Sequence, residues 1–263
     1  MRARSTIFTL FLEYVYPERQ APVRALVRMM AALGFSEAAV RAALSRSAKR
    51  GWVRPVRAGR SAAYALSDRV YWQVEQVRKR LYGAPAPWDG RFLLVLPEGP
   101  RVRAERERFR REMALLGFGL LQSGVYLGAG VEEGAASELL GFYRVKGLLF
   151  QAEPLSPKEE VLKAFPLEEA ARFYRALVFP VAPEDPERAF ALLTRLVHEM
   201  RKALFLDPGL PEALLPEGFP GLEARRAFLE VRAALYRAAL PFLKEVGLSP
   251  SGALMEAPVG FRG

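Results

Sequence analysis

The hydrophobic periodicity of this chain switches between helical and alternating patterns, and the order of the switches restricts the folds open to it. The first 82 residues predict helices at 5–16, 22–34, 36–50 and 68–82, and short extended runs at 52–56 and 62–66. Ser5 and Ser36 stand where the first and third helices would be capped, and Gly51 stands where the third would end. Three helices followed by a hairpin indicate a winged helix-turn-helix.

The middle of the chain follows a different order of elements. Strands are expected at 92–96, at 148–152 and within 118–127 on both sides of Ser123–Gly124, with helices at 103–116 and 133–140. The order β-α-β-β-α-β is that of a ferredoxin-like domain, in which an antiparallel sheet carries two helices on one face.

Strand patterns cease after Pro157. Helices are expected at 157–164, 167–179, 183–206 and 221–246, which predicts an all-α C-terminal domain. The fold class is therefore α+β and multidomain, with a winged helix at 1–82, a Pro- and Ala-containing linker at 83–87, a ferredoxin-like domain at 88–156 and a helical dimerisation and effector domain at 157–263.

Positive charge is concentrated in the first of these parts. The chain has a net charge of +10, and residues 1–82 hold 16 Lys and Arg against 5 Asp and Glu. That part therefore carries +11 and the remaining 181 residues carry −1. A compact basic module joined to a neutral remainder is typical of nucleic-acid binding, although a solvated basic face would have the same composition.

The third helix is the candidate recognition helix. At about 100° per residue, its apolar side, which includes Val40 and Leu44, faces the first two helices. The candidate DNA-binding residues are Ser36, Ala38, Arg41, Ala42, Ser45, Arg46 and Lys49 of this helix, and Arg57, Arg60 and Ser61 of the hairpin. Small residues let the backbone approach the bases, and Arg41 or Arg46 can donate two hydrogen bonds to guanine.

The composition excludes several kinds of chemistry. The chain has no Cys, and His198 is its one histidine, so disulfides, thiol catalysis and multi-His metal sites are ruled out. Lys202 stands where a zinc-protease motif beginning at His198 would need its second histidine, and Glu133 occupies the position of the third glycine of a dinucleotide fingerprint. We therefore expect no catalytic residue, no metal and no cofactor.

We also expect no membrane segment and a cytoplasmic location. The apolar run Ile7–Leu12 is short and is followed at once by Glu13, and the uncharged stretch Met113–Val131 contains five glycines. Arginine outnumbers lysine by 32 to 7 and Asn is absent, which fits a hot environment and a GC-rich genome equally.

Residues in all three predicted parts resemble the PaaX family of transcriptional repressors. The resemblance lies in 39–46, 51–53, 59–60 and 64–66 of the first part, in 88–91 and 116–119 of the second, and in 196–199 and 207–216 of the third. It implies a homodimeric repressor of phenylacetate-degradation genes, which binds a palindromic operator and is released by phenylacetyl-CoA. The DNA contacts that it implies are Arg41, Ser45, Arg46, Arg60 and Tyr64.

An acyl-CoA effector needs cations for its phosphates and apolar walls for its acyl group. His198, Arg201 and Lys202 are the candidate effector-binding residues, and a structural role for a buried His198 is the competing interpretation.

Two other functions stay open. The first is a nucleic-acid-processing enzyme that uses the ferredoxin-like domain, but its first strand ends in Leu96–Pro97 rather than in a carboxylate that could hold a metal ion. The second is a DNA-binding scaffold without sequence specificity, which would protect no unique palindrome in a footprint.

Overall fold

The computed structural model describes residues 1–58, 61–84 and 88–248. In chain order, its helices and strands are α1 (Ala3–Leu10), β1 (Gln20–Pro22), α2 (Val23–Ala32), α3 (Glu37–Lys49), β2 (Val53–Ala58), β3 (Ser61–Leu66), α4 (Asp68–Tyr82), β4 (Phe92–Pro97), α5 (Arg103–Leu116), β5 (Gly119–Gln122), β6 (Val125–Gly128), α6 (Glu133–Tyr143), β7 (Gly147–Ala152), α7 (Lys158–Leu162), α8 (Leu167–Arg175), α9 (Pro186–Ala203) and α10 (Gly221–Glu245). The expected mixed α+β class is confirmed.

The chain divides into two compact units. Among the described residues, the first unit contains those within 1–78, 178–200 and 226–248, and the second contains those within 79–177 and 201–225. Both units are therefore built from segments that are distant in the sequence.

The N-terminal helices of the first unit are accompanied by a three-stranded antiparallel sheet in the order β1-β3-β2. Strand β1 was not expected, and it pairs with β3 from Gln20 opposite Ala65 to Pro22 opposite Ala63. Three residues are too few to show an alternating pattern, so the pairing is visible only in the folded chain.

The first helix differs from its prediction. It begins at Ala3, and Ser5 lies inside it and donates a hydrogen bond to the carbonyl of Arg2 at 3.3 Å instead of capping the helix. After Leu10 the chain continues as a π-helical turn over Phe11–Val15, closed by a 2.9 Å bond from the Tyr16 amide to the Phe11 carbonyl. All five residues of this turn are buried.

The core of the first unit joins the N-terminal helices to α9 and α10. The Tyr14 ring lies 5.0 Å from that of Phe190, which in turn lies 4.8 Å from that of Phe242. The Tyr14 hydroxyl lies 2.7 Å from Thr194 Oγ1. Arg232 Nη2 of α10 pairs with Glu13 Oε1 at 2.7 Å, and both side chains are almost fully buried.

The second unit contains a four-stranded antiparallel sheet in the order β5-β6-β4-β7. This is the strand order of a ferredoxin-like sheet. Helices α5 and α6 cover one face, where Phe109 packs edge-on against Tyr126 at 5.7 Å and Tyr143 at 5.2 Å. On the other face, Phe92 and Leu127 join a buried cluster completed by Ala129, Phe165, Leu167, Leu210 and Leu214.

Two C-terminal helices are shorter than expected. Helix α8 ends at Arg175 rather than at 179, and α9 spans 186–203 rather than 183–206. Pro180 and Pro183 disfavour a helical conformation at the residues before them, which explains the gap between the two helices. Within the part of the chain that the structure describes, no helix is long and apolar enough to cross a membrane.

Candidate nucleic-acid interface

Helix α3 has one buried face and one exposed face. Ser36 begins the helix by accepting a hydrogen bond from the Ala39 amide at 3.3 Å, and Gly51 follows it with a positive φ of 69°. Val40, Ala43, Leu44 and Ser47 are at most 2% exposed. The helix is therefore oriented as its periodicity predicts, with its other side on the surface of the first unit.

The exposed face of α3 carries the predicted small and basic residues. These are Ala38, Arg41, Ala42, Ser45, Arg46 and Lys49, all of which are exposed. Arg41 Nη2 forms an ion pair with Glu37 Oε1 at 2.7 Å, so part of its charge is neutralised on the helix itself. Arg46 and Lys49 extend the positive charge toward the helix C-terminus.

The hairpin places its candidates on β2 and β3. Arg57 is exposed and pairs across the ladder with Ala62, while Ser61 and Tyr64 are half-buried. Side chains alternate along a strand, so Tyr64 lies on the same face of β3 as the exposed Ala62. Arg60 and Gly59 lie outside the described residues.

Several of the basic residues counted in the sequence form ion pairs or hydrogen bonds with other residues of the chain. Arg19 pairs with Asp68 at 2.7 Å, Arg28 pairs with Glu187 at 2.7 Å, and Arg78 donates to the Leu12 carbonyl at 2.6 Å. The exposed cations that form no ion pair within the described residues include Arg46, Lys49, Arg50, Arg54 and Arg57. We call these five residues, which follow one another in the sequence from α3 into β2, the basic surface. Arg54 and Arg57 are three positions apart on β2 and therefore lie on opposite faces of the strand.

Arg80 is a basic residue whose role the sequence did not reveal. In the second unit its guanidinium donates to the carbonyls of Ala114 at 3.1 Å, Leu115 at 2.7 Å and Leu204 at 3.2 Å, and also to that of Asp207. Burial lowers the pKa of Arg80 to about 10, so it remains charged at neutral pH. Arg80 therefore adds to the net charge without adding to the exposed positive surface.

The three candidate effector residues lie on α9 in different environments. His198 is 8% exposed, and its Nδ1 lies 3.0 Å from Thr9 Oγ1. Burial lowers the pKa of Arg201 to about 10, whereas Lys202 is exposed. His198 belongs to the first unit and the other two belong to the second.

The described residues contain no group of three or more His, Asp or Glu side chains arranged to hold a metal ion. What the geometry does provide is a positively charged helix face followed by a positively charged strand. Surfaces of this kind bind polyanions through phosphate contacts, and the small residues on the helix leave room for a close approach.

Comparisons with known proteins match most of the chain. Three family models match in order: a PaaX-like protein at residues 2–70, a PaaX protein central Cas2-like domain at 85–163 and a PaaX-like protein C-terminal domain at 158–245. The chain is 30% identical over 249 residues to the transcriptional repressor PaaX of Escherichia coli strain K12, an alignment that covers 87% of this chain and 78% of the relative.

A solved structure supports the same fold. An uncharacterized protein from Mycobacterium tuberculosis superposes with a TM-score of 0.54 at 23% identity, over 91% of this chain and 97% of that one. The fold and the basic surface define a class of mixed α+β proteins that present a positively charged helix and hairpin. The chain belongs to the PaaX family, and the resemblance seen in the sequence is confirmed.

Proposed function

We propose that the protein is a transcriptional repressor that binds operator DNA with α3 and the β2–β3 hairpin of a winged helix-turn-helix. The observation that carries this proposal is the exposed face of α3, where Ala38 and Ala42 leave room for the bases and Arg46 and Lys49 supply charge. Family membership and the similarity to the E. coli transcriptional repressor PaaX support the same function.

In this proposal, the DNA contact that each exposed residue makes follows from its position. Arg46 reads guanine in the major groove, because it lies on the helix face opposite the buried Val40 and Leu44. Ser45 and Arg41 contact base edges or phosphates beside it. Arg57, Arg60, Ser61 and Tyr64 of the wing contact the backbone or the minor groove.

We further propose the domain division 1–82, 88–156 and 157–263 and a homodimer whose two winged helices bind the halves of a palindrome. Two half-sites about one helical turn apart match a two-fold axis in the protein. The protein acts in the cytoplasm, and phenylacetyl-CoA releases it from the operator of phenylacetate-degradation genes.

Selection of bound sequences from a random duplex DNA library tests the DNA-binding half of the proposal with the full-length protein. We expect one palindrome to be enriched, and we expect Arg46→Ala to change the enriched sequence. An exposed arginine of the second unit gives the matched control, since Arg108→Ala should leave the selection unchanged. Enrichment of no sequence by the unchanged protein would overturn sequence-specific repression and favour a non-specific scaffold.

A further inference from the structure

A cavity of about 190 Å³ lies in the second unit. Its lining comes from three separate stretches of the chain, within 110–126, 164–166 and 204–208. It is lined mainly by apolar and aromatic side chains, among them Phe118, Leu120, Tyr126, Phe165, Phe205 and Leu206. His198, Arg201 and Lys202 are not part of its lining. The cavity therefore offers an apolar site separate from the candidates that the sequence suggested.

The walls of the cavity are held in fixed positions. The buried Arg80 guanidinium ties the carbonyl of Leu204 to those of Ala114 and Leu115 at the end of α5. Gly119 lets the segment that contains Ala164 and Phe165 pack directly on β5. A Cβ at this position would lie 2.5 Å from the Ala164 carbonyl oxygen and 2.6 Å from the Phe165 ring. A cavity bounded in this way is preformed, which lowers the entropic cost of binding a ligand.

The mouth of the cavity combines exposed apolar surface with positive charge. Leu120 and Phe205, which both line it, remain 38% and 40% exposed. Arg110 also lines the cavity; it is exposed and pairs with Glu107 at 3.3 Å. The lining includes Asp207 as well, whose carboxylate accepts a hydrogen bond from the Tyr174 hydroxyl. The guanidinium carbon of Arg111 lies 5.5 Å from the centre of the Phe205 ring. A ligand here would bury an apolar group and leave an anionic group beside Arg111 and the Glu107-paired Arg110.

The size of the cavity limits what can enter it. Apolar cavities of about 150 Å³ accommodate benzene, whereas sites that enclose a drug-sized molecule have about 300–1,000 Å³. This cavity, which is open to solvent at its mouth, has room for a ring-sized acyl group.

We propose that the cavity binds the acyl group of an aromatic acyl-CoA thioester, with the anionic CoA outside the mouth near Arg110 and Arg111. This inference rests on the proposed acyl-CoA response and gives it a location. The wall segment that contains Leu204 and Phe205 continues directly from α9, whose residues 186–200 belong to the first unit. Chain continuity thus links a cavity in one unit to the unit that contains α3.

Calorimetric titration of the full-length protein tests the site. We expect phenylacetyl-CoA to bind at least tenfold more tightly than acetyl-CoA, because only the former fills the cavity with a ring. Ala114→Phe places a ring on the cavity wall and should weaken phenylacetyl-CoA binding at least tenfold. Ala104→Phe makes the same change at an exposed position of α5 that does not line the cavity and should leave the affinity unchanged.

A fluorescent reporter keeps the test decisive if the Ala114 variant misfolds. Leu120→Trp puts an indole at the mouth, and Leu148→Trp puts one at an exposed position of β7. Phenylacetyl-CoA should shift the emission of the Leu120→Trp variant relative to the unchanged protein, and it should not do so for the Leu148→Trp variant.

The outcomes separate this inference from the proposed function. If the unchanged protein binds phenylacetyl-CoA but Ala114→Phe binds it equally well and neither indole responds, the cavity is not the site and the acyl-CoA response stands. If the unchanged protein binds no acyl-CoA, the cavity assignment and the acyl-CoA response both fail. Operator binding, measured separately, decides whether the DNA-binding function stands.

Discussion

At the scale of single residues, the exposed arginines of the first unit have different positions and therefore different expected roles. Arg46 lies on the exposed face of α3, whereas Arg57 lies on β2 at the edge of the hairpin. Arg41 stands on the same helix as Arg46, but its ion pair with Glu37 competes with any phosphate or base. All three arginines are exposed, so exposure alone does not indicate their roles, whereas their positions and ion pairs do.

Replacement of Arg46 by Ala should relax sequence preference, because the hydrogen bonds to one base are lost. The expected loss for the preferred operator is about 1–3 kcal/mol, with little change for operators altered at the contacted base. Arg57→Ala should weaken binding to all operators by a similar factor. Fluorescence anisotropy with a panel of operator variants measures both effects, and an unaltered preference in Arg46→Ala would show that α3 faces the groove in a different orientation.

A second residue-scale prediction concerns the buried ion pair between Glu13 and Arg232. Removing one partner of such a pair leaves the other charged and buried, which costs about 3–5 kcal/mol. We expect Glu13→Ala to lower the free energy of unfolding by that amount in urea titrations. The double variant Glu13→Leu with Arg232→Met should recover most of the loss, since two apolar side chains need no partner.

The contribution of the ion pair would be refuted if Glu13→Ala lowered the free energy of unfolding by less than about 1 kcal/mol. Glu37→Ala is the matched control, because its pair with Arg41 is exposed on both sides and such pairs contribute about 0–1 kcal/mol.

At the scale of helices and strands, α3 and β2 act together through the basic surface. Each phosphate that a cation neutralises contributes roughly −0.9 to the slope of log K against log salt for duplex DNA. Lys49→Gln combined with Arg54→Gln should therefore make the slope shallower by up to about 2. Binding measured from low to moderate salt checks this, with Arg108→Gln on α5 as the control, and an unchanged slope would remove these two residues from the interface.

The elements themselves show what the sequence could predict. Helix α4 has the predicted bounds 68–82, and the buried residues of α3 are those that its periodicity indicates. Local signals sufficed there because caps, glycines and helical spacing agree. The π-helical turn at Phe11–Val15 and the short strand β1 were missed. Strand β1 depends on its pairing with β3, which is distant in the sequence.

At the scale of the whole molecule, the sequence divided the chain into consecutive parts, whereas each compact unit draws on separated segments. Tyr14, near the N-terminus, packs with Phe190 and Tyr236, and no local pattern could show that pairing. The net charge likewise could not distinguish Arg80, whose hydrogen bonds go to backbone carbonyls, from the exposed Arg46. The exposed face of α3 could be predicted from the sequence, and the cavity could not.

Because α9 and α10 share the core of the first unit, tests of DNA binding require the full chain. If phenylacetyl-CoA releases the protein from DNA, thermodynamic linkage requires operator DNA to weaken phenylacetyl-CoA binding by the same factor. Calorimetry on free and operator-bound protein compares the two affinities, and equal affinities would exclude phenylacetyl-CoA as the releasing ligand.

Footprinting of operator DNA by the full-length protein, with and without phenylacetyl-CoA, tests the central claim most directly. The account predicts protection of two half-sites about one helical turn apart, lost when phenylacetyl-CoA is added and retained when acetyl-CoA is added. Arg46→Ala should abolish the protection at a protein concentration at which Arg108→Ala retains it. Protection that covers the DNA uniformly, or no protection by the unchanged protein, would contradict the assignment of α3 as the recognition helix of a repressor.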